Sequence, residues 1–378
     1  MSVLNGYQQG RIAKMNCFPE GNAIVYCEAA LATTNGKTAH GLLRRSERYR
    51  ILSVVDSKSA GKDAGLILDG QPTGMIIDAN VKTAVQKALE MDHLPTHLVI
   101  GLAPDGGRLG STTREDIKTA IKCGLNIDSG LHDFLTEDPE LVALARKYHV
   151  RLRDVRKPPP KESLHFFSGK IETVNCLKIA ILGTDSAVGK RTSAWLLLDG
   201  FRAAHFQAEL VGTGQTAGLQ GARFSIVLDA LINDFVAGEI EHAVWSAWNS
   251  SRPRVILIEG QGSLMHPAYP GGFEILAAAR PDVVVLQHAP ARKNYDGFPN
   301  FPIHTLEQQI QAIEMVSGKP VVAITINHEN LLPADVPYSC HQIEQATHIP
   351  AFDILLNGVE GIISTLIPYL KRQTKHKL

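Results

Sequence analysis

Residues 178–192 read Lys-Ile-Ala-Ile-Leu-Gly-Thr-Asp-Ser-Ala-Val-Gly-Lys-Arg-Thr. Ile179–Leu182 is an apolar run of strand length. Gly183–Gly189 is a glycine-bounded loop, and Lys190 opens a helical pattern with apolar residues at Ala194, Leu197, Leu198, Phe201 and Ala204. Strand, glycine loop, lysine and helix together make a phosphate cradle. The loop's N–H groups and the helix N-terminus point at an anion, and the lysine adds a full positive charge. Gly183, Thr184, Asp185, Ser186, Ala187, Val188, Gly189, Lys190, Arg191 and Thr192 are therefore the expected phosphate-binding residues. The spacing departs from the usual G-x-x-x-x-G-K-[ST]. Gly183 lies one residue further back, and Arg191 stands where a Ser or Thr hydroxyl normally meets Mg²⁺, with Thr192 one place late. Without that adjacent hydroxyl, the loop suits an unbroken pyrophosphate, such as that of coenzyme A, better than Mg²⁺-dependent cleavage of a nucleotide.

The chain has 378 residues, which is long for one domain and suggests two. Its 38 basic and 38 acidic residues cancel, which argues against a nucleic-acid or membrane-surface partner and leaves a small-molecule substrate. Five cysteines (Cys17, Cys27, Cys123, Cys176 and Cys340) include no C-x-x-C pair. That pattern points to a reducing cytoplasm and to no zinc site. No basic-then-apolar leader and no apolar run of about 18 residues is present, so neither export nor a membrane span is expected. The 15 histidines show no metal-ligand spacing, so no metal is expected. A homo-oligomer is the expected assembly.

The run Lys157-Pro158-Pro159-Pro160-Lys161 can continue neither a helix nor a central strand. It begins an expected linker over 157–174, between a Rossmann-like domain (1–156) and a P-loop NTPase-like domain (175–378). In the first domain Ala23–Tyr26, Ile51–Val55, Gly74–Ile77 and His97–Ile100 read as strands, and Val81–Met91, Arg114–Lys122 and Pro139–His149 as helices. In the second, Ile179–Leu182, Ala208–Val211, Val255–Ile258, Val283–Leu286 and Pro320–Ile326 read as strands. Lys190–Ala204, Ser225–Trp248, Glu274–Ala279 and Leu306–Val316 read as helices, with Gly238 marking a break or a close packing contact. The fold class is α/β, with two parallel sheets covered by helices on both faces. Thr33–Thr38 resembles a phosphate loop only superficially and reads better as a plain turn with a helix cap, whereas Gly101–Gly107, at a strand's C-terminal end, reads equally as a ligand loop or a structural turn.

Three further loops of the second domain follow strand ends and should gather beside the phosphate loop. Gly212–Thr216 offers Thr213 and Gln215 as neutral hydrogen-bonding groups for substrate. Glu259-Gly260-Gln261-Gly262-Ser263 puts a carboxylate at the end of an apolar strand, where Glu259 can hold Mg²⁺, position water or act as a general base. Gln261 joins it as a substrate contact, and His266, seven residues past Glu259, is a second candidate for the chemistry. Gln287–Lys293 supplies His288 as a proton carrier and Arg292 or Lys293 as a holder of a substrate carboxylate. Asp234, among the acids Asp229, Asp234, Glu239 and Glu241, is a third candidate if it faces the ligand edge; the other acids read as a solvated helix face.

The loop Gly183–Lys190 resembles that of dethiobiotin synthetase and its relatives, although those enzymes carry a hydroxyl directly after the lysine. A wider resemblance spans nearly the whole chain. Gly36-Lys37-Thr38-Ala39-His40-Gly41-Leu42-Leu43, Gly130-Leu131-His132, Asp154-Val155-Arg156-Lys157-Pro158-Pro159, Thr213-Gly214-Gln215-Thr216 and Glu259-Gly260-Gln261-Gly262-Ser263 resemble a bacterial family long of unknown function that includes a D-glutamate N-acetyltransferase. That resemblance implies a Rossmann-like domain followed by a P-loop domain, and an acyl-CoA-dependent N-acyltransferase acting on an acidic amino acid. Acetyl-CoA would be the cofactor, with Glu259 the first candidate to deprotonate the amine, then His266 or Asp234. Loop N–H groups would stabilise the oxyanion. The competing readings are an ATP/Mg²⁺-dependent ligase or kinase and a nucleotide-binding protein without turnover.

Overall fold

The computed structural model describes residues 19–375, and Cys17 lies outside them. The first sheet contains β1 (Gly21–Tyr26), β2 (Tyr49–Val55), β3 (His97–Ile100), β4 (Asn126–Ser129) and β5 (Leu152–Asp154), all parallel, in the order β2-β1-β3-β4-β5. Its helices are α1 (Lys37–Arg44), α2 (Ala64–Asp69), α3 (Val81–Glu90), α4 (Ser111–Lys122) and α5 (Pro139–Tyr148). Gly74–Ile77, expected as a strand, makes only isolated bridges, with Ile76 pairing to Asp63. The Asp63 carboxylate instead organises that stretch, accepting from the N–H groups of Thr73 and Gly74. The Thr33–Thr38 turn is a helix entry: Thr33 accepts from Asn35 N at 3.3 Å, and α1 opens at Lys37. Gly101 O accepts from Ala39 N at 3.0 Å, which seats α1 on the sheet.

The second sheet is also wholly parallel, in the order β12-β11-β10-β6-β9-β7-β8. Its elements run β6 (Leu177–Gly183), α6 (Lys190–Ala203), β7 (Ala208–Gly212), α7 (Gln215–Gln220), β8 (Phe224–Ser225), α8 (Asn233–Ser251), β9 (Val255–Glu259), a π-helical turn (Ile275–Ala279), β10 (Val283–His288), α9 (Leu306–Ser317), β11 (Val321–Ile326), α10 (Val336–Thr347), β12 (Ala351–Phe352) and α11 (Glu360–Lys375). Every residue of β6, β9 and β11 is buried, the signature of strands covered on both faces. Helix α8 begins eight residues later than the sequence pattern suggests, because Leu228–Ala230 forms a separate 3₁₀ turn. The expected helix at Glu274–Ala279 is a π-helical turn.

By their internal contacts the described residues form two compact units. One holds the first sheet through Pro158 together with Gln215–Ala222, and the other holds Pro159–Gly214 and Arg223 onward. The short helix α7 thus belongs with the first sheet. Thr216 and Thr38 hydroxyls lie 3.1 Å apart there, and Gln220 Nε2 donates to Gly41 O at 2.8 Å and to Arg45 O at 3.2 Å.

The segment after the prolines is tied to α8 by two acids that the sequence suggested were solvated. Glu239 Oε1 accepts from His165 N at 2.6 Å and lies 2.8 Å from His165 Nδ1. Glu241 accepts from Ser168 N at 2.7 Å, Ser168 Oγ at 2.8 Å and Ile171 N at 3.1 Å. Burial pushes the Glu241 carboxyl up, but these donors outweigh it and hold the group below its ordinary value. Gly238 directly precedes Glu239. A Cβ there would fall 2.0 Å from His165 O, so close packing, not a break, explains the glycine. Helix propensity alone would make Gly238→Ala stabilising by about 1 kcal/mol. The backbone overlap reverses that sign, and thermal unfolding of the variant should show a lower midpoint, by an overpacking cost of about 1–3 kcal/mol. A raised midpoint would remove this packing account.

Candidate functional site

The ends of β6, β7, β9 and β10 carry the residues singled out in the sequence. After β6 the chain turns through Thr184–Gly189 into α6. Ala187 has φ 51° and Gly189 φ 107°, both in the left-handed region. For Ala187 this costs about 1–2 kcal/mol that neighbouring bonds must offset. Lys190 folds back over the loop, and its Nζ donates to Asp185 O and Gly262 O, both at 2.7 Å. Gly183 permits this, since a Cβ there would lie 2.9 Å from both Cδ and Nζ of Lys190. Among the described residues, the main-chain N–H groups of Ala187, Val188 and Gly189 donate to no protein acceptor. Three consecutive unpartnered donors, a fourteen-residue helix behind them and an ammonium alongside fit an anionic group such as a phosphate.

Beneath the loop lies Asp185, with no solvent exposure. Its Oδ1 accepts from Ser186 N at 2.7 Å and lies 3.3 Å from His266 Nε2. Its Oδ2 accepts from Arg292 at 2.8 Å and from Asp296 N at 3.0 Å. Ser186 Oγ donates to Asp296 at 3.0 Å. Arg292 was expected to hold a substrate carboxylate, but all five of its N–H donors are engaged within the protein. Nε and one terminal nitrogen grip the Glu329 carboxylate, the latter at 2.9 Å and also reaching Ala187 O at 3.4 Å. The other terminal nitrogen reaches Asp185 and Ser186 O, both at 2.8 Å.

His266 is likewise committed. Its Nδ1 accepts from Ala268 N at 3.1 Å and Tyr269 N at 2.9 Å, so the proton of the neutral ring is on Nε2, facing Asp185. Tyr269, Tyr295 and Phe298 surround the ring at centroid distances of 5.0, 4.9 and 5.6 Å. Burial lowers its pKa, and the Asp185 charge opposes that only in part. With its lone pair occupied, His266 braces the loop and is not available as a base.

Glu259 is the last residue of β9 and is buried. Its Oε2 accepts from Thr213 N at 3.0 Å, while the Thr213 hydroxyl donates to Glu259 O at 2.9 Å. Gln261 Nε2 donates to that hydroxyl at 2.8 Å. Burial raises the Glu259 pKa above the usual carboxylate value, against the opposing charges of Arg191 and Lys190 and the N–H groups of Thr213 and Gly214. Thr213, Gln261 and Glu259 thus form one cluster, whereas Gln215 opens α7 and groups with the first sheet. Asp234 is exposed in the first turn of α8 and makes none of these bonds.

His288 ends β10 and is not in the following loop; its Nδ1 lies 2.9 Å from Thr184 Oγ1. The residue before it, Gln287, was not singled out, yet its backbone O accepts Thr184 N at 3.0 Å and its Oε1 accepts the hydroxyls of Ser193 and Thr325. Gln309 Nε2 donates to Thr184 O at 2.8 Å. Asp296, Glu329, Gln287 and Gln309 are the site residues that the sequence did not announce. A charged residue shortly after an apolar strand was the available signal for the first two.

Among the described residues, no group of three or more His, Cys, Asp or Glu is arranged to hold a metal ion, and no helix is long and apolar enough to cross a membrane. Burial pushes the His288 imidazole down from its ordinary 6.5 to about 4. A group lowered in this way is neutral in the folded protein, so its contribution to stability is whole above about pH 6.5 and is lost as pH falls through about 4. Unfolding midpoints taken from pH 7 to pH 4.5 should therefore fall less steeply for His288→Asn than for the parent protein, and parallel curves would exclude His288 as a source of acid sensitivity.

The DUF1611_C P-loop domain, a domain of unknown function, matches residues 165–363, and the DUF1611_N Rossmann-like domain matches residues 35–158. The chain is 32% identical over 279 residues to a D-glutamate N-acetyltransferase from Pseudoalteromonas sp, covering 71% of this chain and 80% of that protein. It is 29% identical over 275 residues to a protein of the same name from Tritonibacter scottomollicae, again covering 71% and 80%. The crystal structure of a DUF1611 family protein from Anabaena variabilis matches with a TM-score of 0.84 at 29% identity, over 92% of this chain and 99% of that one. With both of its domains matched in order, and along most of its length, the chain belongs to the DUF1611 family.

Proposed function

We propose that this protein is an acyl-CoA-dependent N-acyltransferase that acetylates the amine of an acidic amino acid, with D-glutamate the first substrate to test. The relatives named D-glutamate N-acetyltransferase support this reading. The observation that carries it on the structural side is Arg191. This residue takes the position of the usual Mg²⁺-binding hydroxyl, and its charge acts on Glu259, the acid that ends β9. A guanidinium in that place repels a divalent cation, so the loop is suited to holding phosphates without cleaving them.

Ala187, Val188 and Gly189 N–H groups with Lys190 would hold the phosphates of acetyl-CoA, which brings an acyl group already activated as a thioester. The remaining work belongs to the protein. A substrate amine is mostly protonated at neutral pH and must lose that proton. The Glu259 carboxylate is held by the N–H groups of Thr213 and Gly214, and a pKa raised by burial makes it a stronger base than an exposed carboxylate. Thr213, its hydroxyl held by Gln261 Nε2 and by the Glu259 main-chain O, orients that carboxylate through its own N–H. An ATP/Mg²⁺-dependent ligase or kinase is the second reading, favoured by the same carboxylate at the strand end.

Calorimetric titration separates the two. Acetyl-CoA should bind without Mg²⁺, and Lys190→Ala should weaken it by at least about tenfold, or about 1.4 kcal/mol. Binding of ATP with Mg²⁺ and none of acetyl-CoA would overturn the proposal. Glu259→Gln should bind acetyl-CoA as the parent does but lose about a hundredfold or more in kcat/KM. The parent's kcat/KM should rise with pH through the Glu259 pKa, and a Gln variant of full activity would remove Glu259 as the base.

A further inference from the structure

We infer that Arg292 is the positioning residue of the phosphate loop: reaching in from the segment after β10, it sets the peptide planes that aim the loop's N–H groups at the ligand. This inference rests on the loop being an anion site, whichever phosphorylated ligand it takes. In a trans peptide, the C=O of one residue and the N–H of the next point in opposite directions. Arg292 holds Ser186 O at 2.8 Å and Ala187 O at 3.4 Å. The N–H groups of Ala187 and Val188 are therefore turned away from the guanidinium, and these are two of the three consecutive N–H groups with no protein acceptor. The same grip stabilises Ala187 in its left-handed conformation.

The guanidinium is fixed from the far side. Glu329, shortly after β11, takes two of its donors, and Asp185 takes a third. Arg292 is thus a rigid brace between two strand ends and the loop, with no N–H left over for a ligand. The planar fork matters. A lysine carries the same charge but only three donors at one point, and cannot hold two carbonyls and two carboxylates at once. Asp185 and Glu329 more than offset the charge of the guanidinium, so the brace lends the nest no net positive charge. Its effect on an anion is exerted through the direction of the N–H groups.

The test uses inorganic pyrophosphate on the full-length protein, well below the unfolding temperature. Arg292→Ala and Arg292→Lys should each weaken pyrophosphate by about tenfold or more, and Glu329→Gln, which loosens the brace without touching the loop, by a smaller factor. Added ethylguanidinium should restore affinity to Arg292→Ala and leave the parent unchanged, a rescue that a general loss of stability would not show. Parent-like affinity in Arg292→Lys, or Arg292→Ala without rescue, would overturn the proposal, as would failure of Arg292→Ala to fold combined with unchanged affinity in Glu329→Gln. If the parent itself binds no pyrophosphate, the anion-site premise fails and the inference falls with it. If the parent binds pyrophosphate but not acetyl-CoA, only the acyltransferase reading is lost.

Discussion

A negative charge is buried beneath a loop shaped to attract negative charge, and the site depends on how that conflict is resolved. Asp185 has no solvent exposure and would raise the electrostatic cost of any anion bound above it. The protein answers with the Arg292 guanidinium, two N–H donors from Ser186 and Asp296, and the Nε2–H side of His266. Removing one member of so enclosed a pair strands the other, at a cost of about 3–5 kcal/mol. The gain is geometric: Asp185 draws Arg292 under the loop, and Arg292 turns two carbonyls downward.

Above the loop the charges are arranged differently. Lys190 bridges two carbonyls, one from its own loop and one from the loop after β9, so the two strand ends are joined through a single ammonium. Glu259 lies within the field of both Lys190 and Arg191, yet burial still prevails and keeps its carboxyl above the ordinary value. A carboxylate that is hard to ionise but flanked by cations can take up a proton and release it again without leaving a stable ion pair behind. That balance suits proton transfer from an amine better than permanent metal binding.

The strands that build the second sheet were legible because strands buried on both faces must be apolar throughout, and the phosphate loop was legible because its glycines are forced by geometry. The strands that went unread fail the apolar test for a physical reason. In β4 and β5, Asp128 is fully buried but is met by Arg153 Nε at 2.7 Å, so an ion pair stands where an apolar pattern would be sought. Arg292 and His266 were recognised as residues that matter, but their work could not be read from spacing. Whether a guanidinium has a donor to spare, or an imidazole a lone pair, depends on partners that only the folded chain brings into place: Glu329 and Asp185 for one, Asp185 and the Tyr269 N–H for the other. Glu239 and Glu241 misled for the same reason, since a helix face satisfied by backbone N–H groups resembles a solvated one in sequence.

The detour of residues 215–222 into the unit of the first sheet has a consequence for biosynthesis. Helix α1 waits for Thr216 and Gln220, which leave the ribosome 178 and 179 residues after their partners Thr38 and Gly41. The amino-terminal unit therefore cannot complete its packing when Pro158 emerges, and a gene fragment ending there would yield a sheet with one helix face uncovered. Because the chain leaves the second unit at Gly214 and re-enters it at Arg223, β6, α6 and β7 are made before the excursion and the rest of their sheet after it. Translation thus interleaves the two units, and they must mature together instead of one after the other.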